Sequence, residues 1–172
     1  MQNNNLSKLK INIFYPKRNS WMPPPELFEI RRLCKEDFSN WKILWKQYLQ
    51  FYKSSVENVV YETTFKRLCS IQNPNQNAFV AVKNNSLIGL VHYIYHPHNW
   101  KIEDVCYIQD LFVSPNIRGA GVGRALIEAV YSASDEKKIA TVYWLTQDFN
   151  KQARRLYDNI GSLTPFIKYN RY

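Results

Sequence analysis

A cluster of glycines and arginines is the part of the sequence whose chemistry is easiest to predict. An apolar stretch is followed by Arg118-Gly119-Ala120-Gly121-Val122-Gly123-Arg124, and then by apolar residues at helical spacing. Glycines let a backbone approach a ligand closely, and the first amides of a helix point outwards without partners. The helix dipole adds a partial positive charge. The cluster therefore predicts a phosphate-binding turn at a helix N-terminus, supplemented by the two arginine side chains.

Two well-known phosphate loops do not fit this cluster. A Walker loop places lysine and then serine or threonine after its last glycine, whereas Arg124 and Ala125 stand there. A dinucleotide fingerprint has the spacing G-x-G-x-x-G soon after the first strand. Here the glycines alternate with single residues late in the chain. Both motifs are excluded.

The three histidines and three cysteines do not predict a metal site. His92 and His96 would be about 13 Å apart on an extended strand, so only His96 and His98 could share an ion. The cysteines are widely spaced and form no C-x-x-C pair. We therefore expect no bound metal and no disulfide framework.

Apolar periodicity around these residues predicts a mixed α/β domain. Strands are expected over 27–33, 78–83, 87–95, 104–113, 140–145 and 163–169, and helices over 38–52, 60–71, 122–133 and 149–159. Asp37 and Asp148 are expected to cap the first and last helices, and Gly161 to end the last one. A hairpin followed by strand, helix, strand, helix and strand is typical of a mixed α/β domain.

Length and composition predict one domain. The chain has 172 residues, of which 45% are hydrophobic, which is enough for a single core. Residues 1–26 begin with asparagines and end near Pro23-Pro24-Pro25, so we expect a flexible arm ahead of a domain at 27–172. No apolar run is long enough to span a membrane and no secretory signal is recognisable, which favours a cytoplasmic location.

The formal net charge is +9 and is concentrated at the two ends of the chain. Such a charge favours an anionic partner, which could be a nucleic acid, a membrane surface or a polyanionic small molecule. It could equally serve solubility alone. A basic nucleic-acid-binding module or a non-catalytic interaction module therefore stays an alternative. However, no recognised nucleic-acid motif is present, and residues 26–150 are close to neutral.

The glycine cluster resembles the pyrophosphate loop of the GCN5-related N-acetyltransferases, whose pattern is Gln/Arg-x-x-Gly-x-Gly/Ala. Residues 118–123 satisfy every specified position. The segment 107–113 resembles the fourth strand of that family, and Asn150-x-x-Ala153-x-x-Leu156-Tyr157-x-x-x-Gly161 resembles its cofactor-side helix. The likeness covers 27–172. It implies a central, mostly antiparallel twisted sheet with helices on both faces.

Within that family the chain is similar to two groups. Its aromatic first helix, Trp41-x-x-x-Trp45-x-x-Tyr48-x-x-Phe51-Tyr52, resembles the yeast histone and polyamine acetyltransferases. The run Asp110-Leu111-Phe112-Val113 resembles the spermidine/spermine acetyltransferases. Gln109 stands where the second group has glutamate, so an acidic polyamine pocket is not implied. A homodimer is implied, with the C-terminal strand as a candidate interface.

The resemblance implies acetyl-CoA as donor, a primary amine as acceptor and direct transfer. Cofactor contacts are implied for Leu111, Phe112, Val113, Arg118, Gly119, Ala120, Gly121, Val122, Gly123, Arg124, Asn150, Ala153 and Tyr157. Tyr157 is also the implied general acid, because the departing thiolate, with a reference pKa of about 8.5, needs a proton donor. From periodicity alone, Tyr157 would be a core residue.

Acceptor residues are predicted around the polar pair in the fourth strand. The candidates are Gln109, Asp110, Tyr52, Tyr143 and Trp144. An alkylammonium with a reference pKa of about 10.4 must lose a proton before it attacks. Asp110 could orient that cation and help remove the proton through water. Alternatively, it is a carboxylate satisfied by backbone amides at a strand irregularity. A polyamine, an amino acid and a protein lysine all remain open as acceptors.

Overall fold

A computed structural model describes residues 28–171, so the predicted arm at 1–26 lies outside the described residues. The elements in chain order are β1 Glu29–Arg32, α1 Phe38–Phe51, α2 Asn58–Leu68, β2 Gln76–Lys83, β3 Ser86–His96, β4 Val105–Val113, α3 Val122–Glu136, β5 Val142–Trp144 and α4 Lys151–Tyr157. Two short 3-10 helices, Lys35–Asp37 and Pro115–Ile117, precede α1 and α3. Most predicted elements are present, with shifted ends.

The five strands form one sheet in the order β1-β2-β3-β4-β5. The first four are antiparallel, and β5 runs parallel to β4. The predicted hairpin joins β2 to β3 through Asn84 and Asn85, which have φ angles of 49° and 59°. Asparagine tolerates this left-handed conformation, and a two-residue turn of this kind matches the twist of the strands. The predicted mostly antiparallel mixed sheet is confirmed.

Helices cover both faces of the sheet, and each face has its own core. The side chains of α1 and α2 pack on one face around the fully buried Trp41, together with Phe65, Val80 and Leu90. On the other face, the apolar side of α3 packs against β2, β3 and β4 and buries Leu126 completely. The predicted arrangement of helices on both faces is therefore confirmed. None of the helices in the described range is long and apolar enough to cross a bilayer.

Two local predictions near the C-terminus are wrong. The strand expected at 163–169 is absent, and its side chains are exposed, for example 82% for Phe166 and 86% for Tyr169. Its apolar pattern suits a strand, but a strand also needs a neighbouring backbone to bond, and this segment has none within the described sheet. The last helix is capped by Asn150 rather than by Asp148, because the Asn150 side chain accepts from the Ala153 amide at 3.4 Å.

Asp37 precedes α1 as predicted but does not cap it with its side chain. The carboxylate instead takes two hydrogen bonds from the Arg31 guanidinium, at 2.6 and 2.7 Å, and one from the Cys34 amide at 2.9 Å. Burial opposes ionisation of Asp37, but the Arg31 and Cys34 hydrogen bonds prevail and hold its pKa below the usual range. The ion pair thus ties β1 to the start of α1.

Asp37→Asn is expected to lower the free energy of unfolding by about 2 kcal/mol at pH 7, because the half-buried Arg31 loses its charged partner. A depressed carboxyl pKa stabilises the fold above the pKa of the unfolded chain, and this contribution disappears as the pH falls through the folded pKa. The difference between the two proteins should therefore shrink below about pH 4. Urea unfolding at pH 7 and at pH 3.5 measures it, with Glu36→Gln as the exposed control.

Candidate active site

An open cleft of about 380 Å³ lies between the C-terminal end of α1, the end of β4, the glycine loop and α4. Its walls include every predicted cofactor residue except Ala120. They are Leu111, Phe112, Val113, Arg118, Gly119, Gly121, Val122, Gly123, Arg124, Asn150, Ala153 and Tyr157. The fold therefore brings together residues that are up to 46 positions apart in the sequence. Tyr48, Phe51, Tyr52, Ile117, Gln152 and Leu156 complete the walls.

The glycine loop has the conformation that a phosphate site requires. Gly119 and Gly121 have φ angles of 87° and 83°, a left-handed backbone that disfavours residues with a Cβ. Gly121 occupies the N-cap position of α3, so the amides that follow it have no partners within the helix. These amides line the cleft together with the positive end of the helix dipole. The loop can therefore bind an anion through its backbone.

Two arginines add positive charge to this end of the cleft. The Arg118 guanidinium donates to the Val113 carbonyl at 3.4 Å and lies 5.8 Å from the centre of the Phe51 ring. Arg124 forms a loose ion pair with Glu128, at 3.5 Å, and is about half exposed. Long, exposed side chains of this kind can turn towards a bound anion at little cost. Both guanidinium groups are thus available to a polyanionic ligand.

The edge of β4 is open beside the cleft. β5 pairs with β4 only from Cys106 to Ile108, so residues 109–113 extend beyond the paired stretch. Leu111 and Val113 lie in this extension and line the cleft. An unpaired strand edge offers backbone amides and carbonyls to an extended ligand. The edge can therefore hold an amide-containing chain as an additional strand would be held.

Tyr157 stands where the cleft meets a second, much smaller pocket of about 20 Å³. Its ring contacts Trp144 edge-on, with the centroids 5.4 Å apart. Burial raises the pKa of Tyr157 to about 12, and the neighbouring Tyr52 adds to the rise. A raised pKa keeps the phenol protonated at every ordinary pH. Tyr157 is therefore a protonated phenol in the walls of both cavities.

The small pocket contains some of the predicted acceptor residues. Its walls are Tyr48, Tyr52, Ile108, Gln109, Leu111, Ile127, Trp144, Leu145 and Tyr157. Tyr143 is absent from both sets of walls, because alternate residues of a strand point to opposite faces. Its ring stacks on Tyr107, with centroids 5.0 Å apart, and its hydroxyl lies 3.0 Å from His96. The position of Tyr143 outside both cavities does not support a role in acceptor binding, and that role stays a prediction.

Asp110 also lines neither cavity, and it faces the α1 side of the sheet. The register between β3 and β4 shifts at Gln109, so the predicted strand irregularity is present. Its carboxylate Oδ2 lies 2.8 Å from His92 Nδ1, and His92 Nε2 accepts from the Trp41 indole at 2.8 Å. The partner of the Asp110 carboxylate is thus the His92 imidazole, whereas the sequence suggested backbone amides as its alternative partners. Any effect of Asp110 on an acceptor must pass through a neighbouring side chain or water.

Tyr48 is that neighbouring side chain, although it was not among the predicted acceptor residues. It lines both cavities. Burial raises the pKa of Tyr48 above its ordinary value, and the negative charge of Asp110 adds to the rise. Tyr48 and Tyr52 are one helical turn apart, with ring centroids 5.0 Å apart. The four-residue spacing between Tyr48 and Tyr52 was the sequence signal that could have placed Tyr48 in the site, because residues at i and i+4 lie on the same face of a helix.

Gly161 lets Trp144 reach the site. A Cβ at this position would lie 2.7 Å from the indole Cη2 of Trp144, well inside contact distance. Gly161→Ala should therefore push the indole towards Tyr157 and raise the KM for the amine by about threefold or more, a modest steric penalty. The KM for the cofactor should stay unchanged. Steady-state kinetics with each substrate varied in turn measures both constants, and an unchanged amine KM would contradict the proposed position of Trp144.

No group of three or more histidine, cysteine or acidic residues that could hold a metal ion occurs between residues 28 and 171. All three cysteines are free.

Comparison with known proteins decides the family. The profile of the acetyltransferase (GNAT) family matches residues 30–161. The chain belongs to this family. The match includes β4, the glycine loop and α4, which are the elements that build the cleft, so the predicted family is confirmed.

Relatives of this GNAT protein transfer acetyl groups to amines. It is 35% identical over 146 residues to the D-amino-acid N-acetyltransferase HPA3 of Saccharomyces cerevisiae, covering 83% of this chain and 89% of that protein. It is 29% identical over 108 residues to a thialysine N-epsilon-acetyltransferase of Caenorhabditis elegans, covering 63% and 64%. The chain is accordingly an N-acetyltransferase with an amine as acceptor, and the alternative of a non-catalytic module is set aside.

Solved structures confirm the fold. The aminoglycoside acetyltransferase AAC(6')-Iy, in complex with a bisubstrate analogue of CoA, has a TM-score of 0.74 at 19% identity and covers 85% of this chain and 98% of its own. The ribosomal-protein-alanine N-acetyltransferase of Brucella melitensis has a TM-score of 0.68 at 18% identity, covering 85% and 99%. At these identities the likeness concerns the fold alone.

Proposed function

We propose that this enzyme takes its acetyl group from acetyl-CoA, which binds along the 380 Å³ cleft. The observation that carries the proposal is the pairing of an anion-binding loop at one end of the cleft with the protonated Tyr157 at the other. The amides after Gly121 and the two arginines suit a pyrophosphate. The open edge of β4 at Leu111 and Val113 suits the amides of a pantetheine arm.

The reacting atoms are expected at the inner end of the cleft. The cofactor supplies an activated thioester, whose carbonyl carbon the amine attacks. A backbone amide near Leu111, on the unpaired stretch of β4, is placed to stabilise the negative charge that develops on the carbonyl oxygen. Tyr157 is placed to give its proton to the sulfur that leaves. Asn150 keeps α4 in position by capping it, and so orients Ala153 and Tyr157.

The acceptor is proposed to be a small primary amine that enters from the side of Gln109, Tyr52 and Trp144. The small pocket favours a slender amine over a bulky one. Aromatic faces attract an ammonium group, and the nearby Asp110 supplies the negative charge. A D-amino acid, thialysine and an aminoglycoside are the amines named for proteins similar to this chain. An amino acid or a lysine-like side chain is therefore the first class to test.

A homodimer and a cytoplasmic location complete the proposal. Leu163, Phe166, Ile167 and Tyr169 are between 75% and 86% exposed, which is unusual for four large apolar side chains so close in sequence. β5 is an edge strand of the sheet. We propose that this tail forms its strand against a second copy of the chain. Sedimentation of the whole protein, compared with a variant that ends at Gly161, should give a dimer and a monomer respectively.

A thiol-release assay tests the proposed reaction. The enzyme is incubated with acetyl-CoA and a panel of amines: D- and L-amino acids, lysine analogues, ornithine, polyamines, an aminoglycoside and a lysine peptide. Each amine is paired with the form that is acetylated at every amino nitrogen, which has no free amine and serves as a matched control. Release that depends on the free amine supports the proposal. Release at the same rate with both forms would contradict it, because the thioester would then be hydrolysed by water.

A further inference from the structure

A row of three buried polar groups stands behind the acceptor side of the cleft. Trp41 of α1, His92 of β3 and Asp110 of β4 are 0%, 4% and 7% exposed. The Trp41 indole and the Asp110 carboxylate each lie 2.8 Å from one of the two ring nitrogens of His92. A buried carboxylate is costly unless its charge is stabilised. The row stabilises that charge with groups from three different elements.

Hydrogen-bond directions determine where the protons of this row lie. An indole nitrogen can only donate, so His92 Nε2 must accept from Trp41. A neutral imidazole has one N–H, which then belongs to Nδ1 and donates to Asp110 Oδ2. A second proton on Nε2 would break the bond to Trp41. While Trp41 donates, His92 therefore holds a single proton, on Nδ1, and donates it to Asp110.

We propose that Trp41 and His92 are positioning residues that keep Asp110 a charged carboxylate behind the acceptor pocket, where its field attracts the ammonium of the incoming amine. The inference rests on the function proposed above and deepens it. Without the Trp41 donor, His92 would be free to take a second proton on Nε2 in mildly acidic solution. The imidazolium would then cancel the charge of Asp110, and the attraction for the ammonium would be lost.

Three phenols among the described residues lie close enough to feel the charge of Asp110. They are Tyr48 of α1, Tyr52 directly after α1 and Tyr107 of β4, and burial, followed by neighbouring charges, raises the pKa of all three. Tyr61 of α2 contacts Trp41 edge-on. Phenols carry no charge between about pH 5.5 and pH 8.5. In that range, these phenols therefore add no change of charge to the pH dependence.

Trp45 provides a matched control. It lies one helical turn after Trp41, is 6% exposed, and has its ring 5.6 Å from His92, against 5.7 Å for Trp41. Its indole nitrogen is buried without a hydrogen-bond partner among the described residues. Trp41→Phe and Trp45→Phe thus remove the same atoms beside the same imidazole. Only Trp41→Phe removes a hydrogen bond to it.

The first test follows kcat/KM for the amine from about pH 5.5 to pH 8.5, divided at each pH by the wild-type value. Dividing by the wild-type value cancels the effect of the amine's own protonation on kcat/KM, because that effect is the same for all the proteins. For Trp41→Phe the ratio should fall about tenfold towards pH 5.5, through a higher KM for the amine, as expected for the loss of one nearby charge. For Trp45→Phe it should stay constant. Parallel profiles for the two variants would overturn the inference.

The second test reads the imidazole directly and does not depend on activity. Nitrogen NMR of histidine-labelled protein should show His92 as the Nδ1–H tautomer across this pH range in the wild type and in Trp45→Phe. In Trp41→Phe it should become doubly protonated at low pH. A wild-type His92 that carries its proton on Nε2, or that becomes doubly protonated within this pH range, would overturn the inference.

Asp110→Asn separates a failure of this inference from a failure of the proposed function. If Asp110→Asn has wild-type kcat/KM for the preferred amine, Asp110 does not attract the acceptor, and the proposed acceptor role itself is wrong. If Asp110→Asn is impaired but Trp41→Phe and Trp45→Phe behave alike, Asp110 acts as proposed and only the role of the row is wrong.

Discussion

Gly121→Asp is expected to weaken the binding of acetyl-CoA more than 100-fold, by far the largest effect of any single change in the glycine loop. Gly121 is the N-cap residue of α3, and the amides that follow it line the cleft. A carboxylate at this point would stand about 4 Å from a bound phosphate, a repulsion of about 4 kcal/mol at the dielectric constant of a protein surface. It would also occupy the amides that the phosphate needs.

Gly121→Asn is the control, because it separates charge from shape. Asparagine and aspartate have nearly the same volume, and both tolerate the φ angle of 83° better than other side chains do. Gly121→Asn should weaken binding only about tenfold, through crowding and mild strain. Isothermal titration with CoA measures both variants, and circular dichroism checks that both fold. Equal losses for the two variants would show that no phosphate lies at the loop.

Local chemistry explains why the cleft could be predicted from the sequence. The strand β4, the glycines and the helix that follows them are all encoded within the continuous stretch 105–136. Such segments depend little on the rest of the chain, because the backbone freedom of glycine and the unpaired amides of a helix are local properties. The loop and β4 accordingly occupy the places that the sequence indicated.

The partner of Asp110 could not be predicted, because it depends on one irregularity in the sheet. If the regular pairing that starts at His96 and Val105 continued along β3 and β4, Asp110 would lie opposite Val91. It would then be on the face of the sheet that α3 covers. The shift at Gln109 places it opposite His92 and turns it to the α1 face. A one-residue slip changes the face of every later side chain. An irregularity at Asp110 was among the expectations, but the local sequence does not show which side chain of another element the shifted carboxylate will meet.

The missing last strand shows a different limit. Residues 163–169 are rich in apolar and aromatic residues, as strands often are, and this composition alone says nothing about which backbone will pair with the segment. In a single chain the segment stays without regular structure and exposes its side chains. Pairing is a property of the whole assembly, so an apolar segment at the end of a chain predicts an interface as readily as it predicts a strand.

Tyr157→Phe is expected to lower kcat about 100-fold while leaving the KM for acetyl-CoA within about twofold of wild type, the size of effect that general acid catalysis usually supplies. The change removes one hydroxyl and keeps the ring that packs on Trp144. Ground-state binding should therefore persist, and the loss should fall on the step in which the thiolate departs. Steady-state thiol release with each substrate varied in turn measures both constants.

The pH profile supplies a second expectation for the same residue. Burial raises the pKa of Tyr157 to about 12, so its proton is present below that pH and is lost only above it. Wild-type kcat should therefore show no fall on the basic side up to about pH 10. A fall there, with the pKa of an ordinary phenol, would mean that Tyr157 is not buried in the working enzyme.

Tyr131→Phe is the matched control for the hydroxyl. Tyr131 is a half-buried tyrosine near the same indole, with ring centroids 6.5 Å apart, and its hydroxyl donates to the Ile160 carbonyl at 2.9 Å. Losing that bond should cost about 1 kcal/mol of stability without changing kcat, because Tyr131 lines neither cavity. If both variants lost activity equally, the effect of Tyr157→Phe would be structural. A selective loss in Tyr157→Phe identifies the phenol as the proton donor, because the two substitutions delete the same atom at two distances from the reacting sulfur.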